Sequence, residues 1–262
     1  MDRSDLANRM KEYERVSNTY LIKRTPVILR LDGKAFHSFT KGLKRPFDEV
    51  LIKTMQDTMK YLCANIQGCV LGYHQSDEIT LVLVDYKRLN TSPWFENKVS
   101  KMCSIAASMA TLEFNKKFKL NCHDIPDRTD KTYLNKLLII SDRRAMFDCR
   151  AFNLPKEEVC NNLIWRQQDA TRNSIQMVGQ AYFSYSELQG KNRNEIQTML
   201  MEQKGIDWND YPTYQKRGSC CVKQPCKLEN GIIRNKWMID KEIPIFTEDR
   251  AYIEDLVDHS SS

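Results

Sequence analysis

The sequence predicts an α+β fold: a ferredoxin-like antiparallel sheet with helices on one face, followed by a mainly helical C-terminal portion. Three observations predict it. Strand-length apolar runs alternate with segments of helical periodicity in the order β-α-β-β-α-β over about residues 30–153. Two of the strand-like runs are joined by a short polar turn, which marks a hairpin. From residue 156 to 204 apolar side chains recur mostly at helical spacing.

The elements follow in order. Leu6, Met10, Tyr13 and Tyr20 fall roughly on one face, so residues 4–21 read as an amphipathic helix. "TPVILRLDG" (25–33) reads as a buried strand ending in a turn. Leu51, Ile52, Met55, Met59, Leu62, Cys63 and Ile66 carry a helix, and Gly68 stands where a C-cap is expected. Strands over 69–73 and 79–86 form the hairpin, and residues 95–118 a helix with Val99, Met102, Cys103, Ala106 and Ala110 inward. "KLNCHDIPDRTDKTYLNK" (119–136) reads as a loop, and "LLIIS" and "FDCRAFNLP" as two further strands. The helical stretch 156–204 is broken near Gly179 and Gly190. "SCCVK" and "IIRNKWMI" are short strands ahead of an exposed "SSS" end. The chain thus divides into a core with its N-terminal helix (1–155) and a helical portion (156–262) packed on it.

Hydrophobic residues make up 41% and charged residues 28% of 262, an ordinary globular composition. Net charge is +6, which permits a polyanionic partner without establishing one. Of nine cysteines, Cys220, Cys221 and Cys226 cluster, but no histidine nearby completes a zinc site. The odd number, with no signal peptide, points to reduced thiols and a cytoplasmic protein. No apolar run reaches the ~18 residues of a membrane span.

Three acids interrupt the apolar pattern. Asp32 ends "VILRLD", and Asp77 and Glu78 occupy the hairpin tip. With the strands side by side, these carboxylates meet, and at ~4 Å and an effective dielectric of ~20 each pair costs roughly 4 kcal/mol. Protonation relieves that repulsion. So does a hard divalent cation, and two such ions support phosphoryl or nucleotidyl transfer. Each motif is also ordinary turn chemistry. Gly33 lets backbone approach a phosphate or ion. The following "KAFHSF" supplies a cation, an apolar wall and an imidazole for a nucleoside triphosphate, although Phe36 and Phe39 also suit a core, and His37 a local hydrogen bond.

"RLDGKAFHSFTKGLKRPFDE" followed by "GYHQSDEITLVL" resembles the tRNA-histidine guanylyltransferase family, including its guanylyltransferase-like branch. "FDCRAFNLP", "NLIWRQQDATRNS", "ELQGKNRNEI" and "YPTYQKRGSC" match later family blocks in order, so the resemblance spans roughly 5–222. It implies a polymerase-like palm that adds nucleotides to the 5′ end of tRNA in the 3′-to-5′ direction. ATP activates a 5′-monophosphate end, and the 3′-OH of an incoming GTP or other NTP displaces AMP.

By the same resemblance Asp32 and Asp77 ligate two Mg²⁺ ions, the Gly33 carbonyl completes one shell, and Glu78 supports the site. Asp32, Gly33, Lys34, Ala35, Phe36 and His37, with Ser76, hold the triphosphate. Arg45, with Asp48 nearby, and Arg193 replace family lysines at phosphate contact and 5′-end activation. Arg meets phosphate as a planar fork where Lys is a point charge. Lys216 and Arg217 match family cations near RNA or triphosphate. Thr171-Arg172-Asn173-Ser174 stands where histidine-specific members have His-Ile-Asn-Asn. That fits the branch performing Watson–Crick-templated repair of 5′-truncated tRNA. A histidine-specific enzyme, a nucleotide cyclase and a non-catalytic RNA-binding module are the competing readings. A homotetramer is implied, and Lys116/Lys117/Lys119, Arg143/Arg144 and Lys191/Arg193 are candidate RNA contacts.

Overall fold

A computed structural model describes residues 4–125, 130–227 and 231–258. The expected exposed Ser260–Ser262 end and positions 126–129 of the expected loop lie outside them. In chain order come α1 (Asp5–Arg15), β1 (Val27–Gly33), α2 (Phe36–Phe39), α3 (Glu49–Asn65), β2 (Cys69–Gln75), β3 (Glu78–Leu83), α4 (Val99–His123), α5 (Lys131–Ser141) and β4 (Phe147–Asn153). Then follow α6 (Lys156–Tyr182), α7 (Tyr185–Leu188), α8 (Arg193–Lys204), α9 (Thr213–Lys216), β5 (Ser219–Lys227), β6 (Ile233–Asp240) and α10 (Ala251–Asp258).

The strands form one six-stranded antiparallel sheet in the order β4-β1-β3-β2-β5-β6. Its first four strands have the expected ferredoxin-like arrangement, and β5 and β6 extend it. β1 is apolar almost throughout because both of its faces are covered. Val27, Leu29 and Leu31 join Met55, Met59 and Leu62 of α3 and Met102, Ala106 and Phe114 of α4. Ile28 faces the other way, with Leu71, Tyr73 and Val82, against Val159, Cys160 and Leu163 of α6 and Ile253 and Val257 of α10. The core's own helices thus lie on one face, and the C-terminal helices cover the other.

Several elements differ from expectation. "LLIIS" is not a strand: it completes α5, which Asp130 caps by accepting from the Tyr133 N–H at 2.9 Å. Tyr133, Leu137 and Ile140 point inward while Leu138 and Ile139 are exposed, which is helical spacing. The expected loop is therefore short, with α4 running to His123. Gly179 itself lies inside α6, and the expected break near it comes within a turn, at Phe183 and Ser184. A Cβ on Gly179 would meet the Ile196 side chain of α8 at 2.9 Å, so this glycine permits close helix packing. The second break falls at Gly190, which has φ +76°. α1 stops at Arg15, and none of its residues is buried. No helix among the described residues is long and apolar enough to cross a membrane.

Candidate active site

The ladder register builds the site. Asp32, near the end of β1, stands opposite Glu78 on β3 and Asp148 on β4. Asp77 lies in the β2–β3 turn, and its carbonyl accepts from the Gly33 N–H at 3.1 Å. Ser76, beside it, holds φ +51°, a left-handed conformation uncommon outside glycine and concentrated at functional sites. Asp32, Gly33, Ser76, Asp77 and Glu78 are thus brought together at one end of the sheet.

Their surroundings differ. Burial pushes the Asp77 carboxyl above the usual carboxylate range, and the charge on Asp32, then that on Glu78, raises it further. Glu78 is 7% exposed. Burial pushes it up too, opposed by Arg166, whose Nε and Nη2 donate to its two oxygens at 2.8 Å each. Arg166 also donates to Asp169 at 3.0 Å. Glu78 is therefore engaged inside the protein, whereas Asp32 and Asp77 are partly exposed. His74 braces the turn from beneath. Burial lowers its imidazole to about 4, so the ring is neutral. Its Nε2 lies 3.0 Å from the Ser76 carbonyl, which assigns the ring proton there, and its Nδ1 3.4 Å from the Ser219 hydroxyl.

A cavity of about 780 Å³ opens beside the acids. It is lined by Gly33, Ser76 and Asp77, by Ala35 and His37, by the cations Lys41, Lys44 and Arg45, and by Met177 and Gln180 of α6. Ala35, like Ser76, is left-handed, with φ +52°. Gly33 has a packing reason as well as a functional one, since a Cβ there would collide with the Phe36 ring. Phe36 is 4% exposed, packed with Phe39, Phe114 and Phe147. Both phenylalanines are core, and Phe36 also backs the cavity. Asp48 fixes the cationic wall: it caps α3 through the N–H groups of Val50 and Leu51, accepts from the Lys44 N–H at 2.9 Å, and accepts from the Tyr133 hydroxyl at 2.7 Å. Lys44 then sits with its Nζ 4.2 Å from the Tyr133 ring centroid.

Other expected residues lie elsewhere. The Lys34 N–H joins β1 to the Met146 carbonyl, and its side chain is exposed outside the cavity wall. Arg193 is exposed on the first turn of α8. Lys216 is 9% exposed and donates to the Asn209 carbonyl at 2.6 Å, while Arg217 lies 5.8 Å from the Trp208 ring. None of these three lines the cavity. Arg143 donates to the carbonyls of Ser38, Phe39 and Lys41, and so staples the C-terminal end of α2 and the turn after it. Sequence reading did not single out Arg166 or Asp148. A buried acid in the hairpin demands a cationic partner, and that was the available signal for Arg166.

A ferredoxin-like core that gathers acids at its strand ends, beside a cation-walled cavity, defines a palm-type phosphoryl-transfer enzyme. Comparison with known proteins narrows the class. The family profile described as tRNA(His) guanylyltransferase matches residues 7–155. A solved bacterial tRNA(His) guanylyltransferase (Thg1)-like protein in complex with ATP is 42% identical, covers 97% of this chain and 99% of its own, and has a TM-score of 0.83. A second such structure, in complex with GTP, is 40% identical, with coverages of 98% and 100% and a TM-score of 0.80. The tRNA(His) guanylyltransferase of Schizosaccharomyces pombe is 25% identical over 84% of this chain and 81% of its own length. The chain belongs to the tRNA(His) guanylyltransferase family. It is a nucleotidyltransferase with tRNA guanylyltransferase activity.

Proposed function

We propose that the protein extends the 5′ end of truncated tRNA in the 3′-to-5′ direction under Watson–Crick templating. The observation that carries the reading is the partly exposed Asp32–Asp77 pair, whose Asp77 lines a cavity together with Lys41, Lys44 and Arg45. Among the described residues no group of three or more His, Cys, Asp or Glu side chains forms a ready metal cage. The carboxylates of Asp32 and Asp77 and the Gly33 carbonyl are instead a hard-oxygen set that would suit Mg²⁺, and the mutual repulsion of the acids fits such an occupant. When bound, two Mg²⁺ ions supply activation of the attacking oxygen and stabilisation of the leaving one. Asp32 and Asp77 would hold them, and Glu78, clamped by Arg166, would keep the floor rigid.

The triphosphate lies along Gly33, Ala35, His37 and Ser76, with Lys44 and Arg45 on its phosphates. ATP and GTP suit this cavity, as the ligands of the two bacterial structures support. Arg193 is assigned to the activated RNA end, while Lys216 and Arg217 brace the segment around Asn209 and Trp208. Templated repair is favoured over a histidine-specific reaction because the Thr171–Ser174 block lacks the imidazole of His-Ile-Asn-Asn, and its side chains engage α6 and its neighbours instead. Thr171 donates to the Gln167 carbonyl, Arg172 and Asn173 to Asp169, and Ser174 to the Lys216 carbonyl. The nine free cysteines support a cytoplasmic, reducing setting. The exposed Leu6, Met10 and Tyr13 of α1 support burial against further copies, as in a homotetramer.

The test is extension of a tRNA lacking its first acceptor nucleotide, with Mg²⁺, ATP and each NTP in turn. Addition only of the nucleotide complementary to the opposing strand is expected. Addition of G alone, confined to tRNA-histidine, would replace templating with the specialised reaction. No addition by folded, RNA-bound protein would sink the reading.

A further inference from the structure

On the sheet face that carries Asp32, the next row of the ladder is basic. Arg30 on β1 stands directly opposite Arg150 on β4, one pleat repeat from the Asp32–Asp148 pair. Like charges directly opposite each other on a sheet are unfavourable. Among the described residues neither guanidinium forms an ion pair, although Arg30 is near enough to Glu78 for its charge to favour that carboxylate. Arg150 is exposed. Arg30 is half-buried, and its Nε is enclosed without a hydrogen-bond acceptor. A desolvated donor left unpaired is costly, so a missing anionic partner is the economical explanation.

α6 adds an aromatic surface to this row. Trp165 is 48% exposed, with Arg30 at 5.9 Å and Arg166 at 4.5 Å from its ring centroid. Arg166 is committed to Glu78 and so steadies the indole, leaving Arg30 and Arg150 for a ligand. None of Arg30, Arg150 and Trp165 lines the nucleotide cavity. That cavity begins after Asp32, at Gly33, whereas Arg30 precedes it. Along β1, Asp32 therefore stands between Arg30 and the cavity-lining Gly33.

We propose that Arg30, Arg150 and Trp165 form a docking shelf for the 5′ end of the RNA. The two guanidiniums take the terminal phosphate, which their planar forks match, and Trp165 stacks the first unpaired base. The inference rests on the reaction proposed above, which requires an RNA 5′ phosphorus on one side of the acids and a nucleotide on the other. The phosphates of a second nucleoside triphosphate share the same chemistry, and the experiment separates the two sources.

The full chain is assayed with a tRNA lacking its first nucleotide, carrying either a 5′-phosphate or a 5′-hydroxyl. Without nucleotide, Arg30→Gln and Arg150→Gln should each weaken binding of the phosphorylated RNA roughly ten-fold, as for loss of a charge-assisted bond. The preference over the hydroxyl form should largely vanish. In extension assays the KM for RNA should rise while the KM values for ATP and GTP stay unchanged. Trp165→Ala should weaken both RNAs equally, and Trp165→Phe should restore most of the loss. Arg150 is exposed, so its variant tests the site even if Arg30→Gln folds poorly. Retention of the native phosphate preference in Arg150→Gln and in folded Arg30→Gln would overturn the shelf. A raised nucleotide KM with unchanged RNA binding would also overturn it, assigning the arginines to the triphosphate. A native protein that shows the phosphate preference, lost in the variants, but extends no RNA would refute the reaction and support the shelf as a binding site.

Discussion

Asp77 shows how a single residue trades stability for chemistry. Its carboxyl is partly desolvated and placed beside Asp32 and Glu78, an arrangement that raises its pKa and opposes folding when no cation is present. Asn keeps the shape and removes the charge. Asp77→Asn should lower 5′-extension by at least about a thousand-fold, the scale of losing a central electrostatic contribution to a transition state. In metal-free buffer it should melt a few degrees higher than the native protein, since ~1 kcal/mol corresponds to about 2–4 °C for a chain of this size. Mg²⁺ should raise the melting temperature of the native protein and not of the variant. An unchanged or lowered metal-free melting temperature would contradict the repulsion described here.

The β2–β3 hairpin carries the next prediction, through His74. Its imidazole is held down to about 4 by burial, below the ordinary value of 6.5. The unfolded chain therefore takes up a proton between these values that the folded chain refuses. The stability from neutral His74 is complete above pH 6.5 and is lost as pH falls towards 4, at up to about 1.4 kcal/mol per unit. Urea unfolding at stepped pH should show this slope in the native protein and a flatter one in His74→Gln. Comparing the two isolates the imidazole from Asp77 and Glu78, whose upward shifts act in the opposite direction. Legibility in the sequence also varied by element. The hairpin was readable because two strand-length apolar runs frame a polar turn, and its acids broke the pattern visibly. "LLIIS" resembles a strand because four successive apolar residues have no distinguishing period, and only its contacts show that Leu137 and Ile140 face inward while Ile139 does not. Gly179 looked like a breaker because the proximity of α8 leaves no trace in the local sequence. Arg166 lies 88 residues from its partner, Glu78, so that contact was invisible until the topology was known.

Across the whole molecule, the basic clusters prove unequal. Arg143 is committed to backbone carbonyls, and Lys117 leans towards Glu113 at 3.9 Å. Lys116, Lys119, Arg144, Lys191 and Arg193 are exposed. If three or more exposed cations meet phosphates, the log of tRNA affinity should fall with log salt at a slope of about −2 or steeper. A slope near −1 would confine the electrostatic contact to one phosphate at the RNA end. Titration between low and physiological salt decides this. The Arg166–Glu78 clasp has a consequence for how such an enzyme can be inherited or rebuilt. The family profile covers 7–155, yet the counter-ion of Glu78 and the cover over Ile28 and Val82 come from α6 beyond it. The stretch bearing the acids is thus no portable cassette. Transplanted without α6, it would present an apolar sheet face with a carboxylate set into it, and any lineage or designer that borrowed the palm would have to borrow its lid as well.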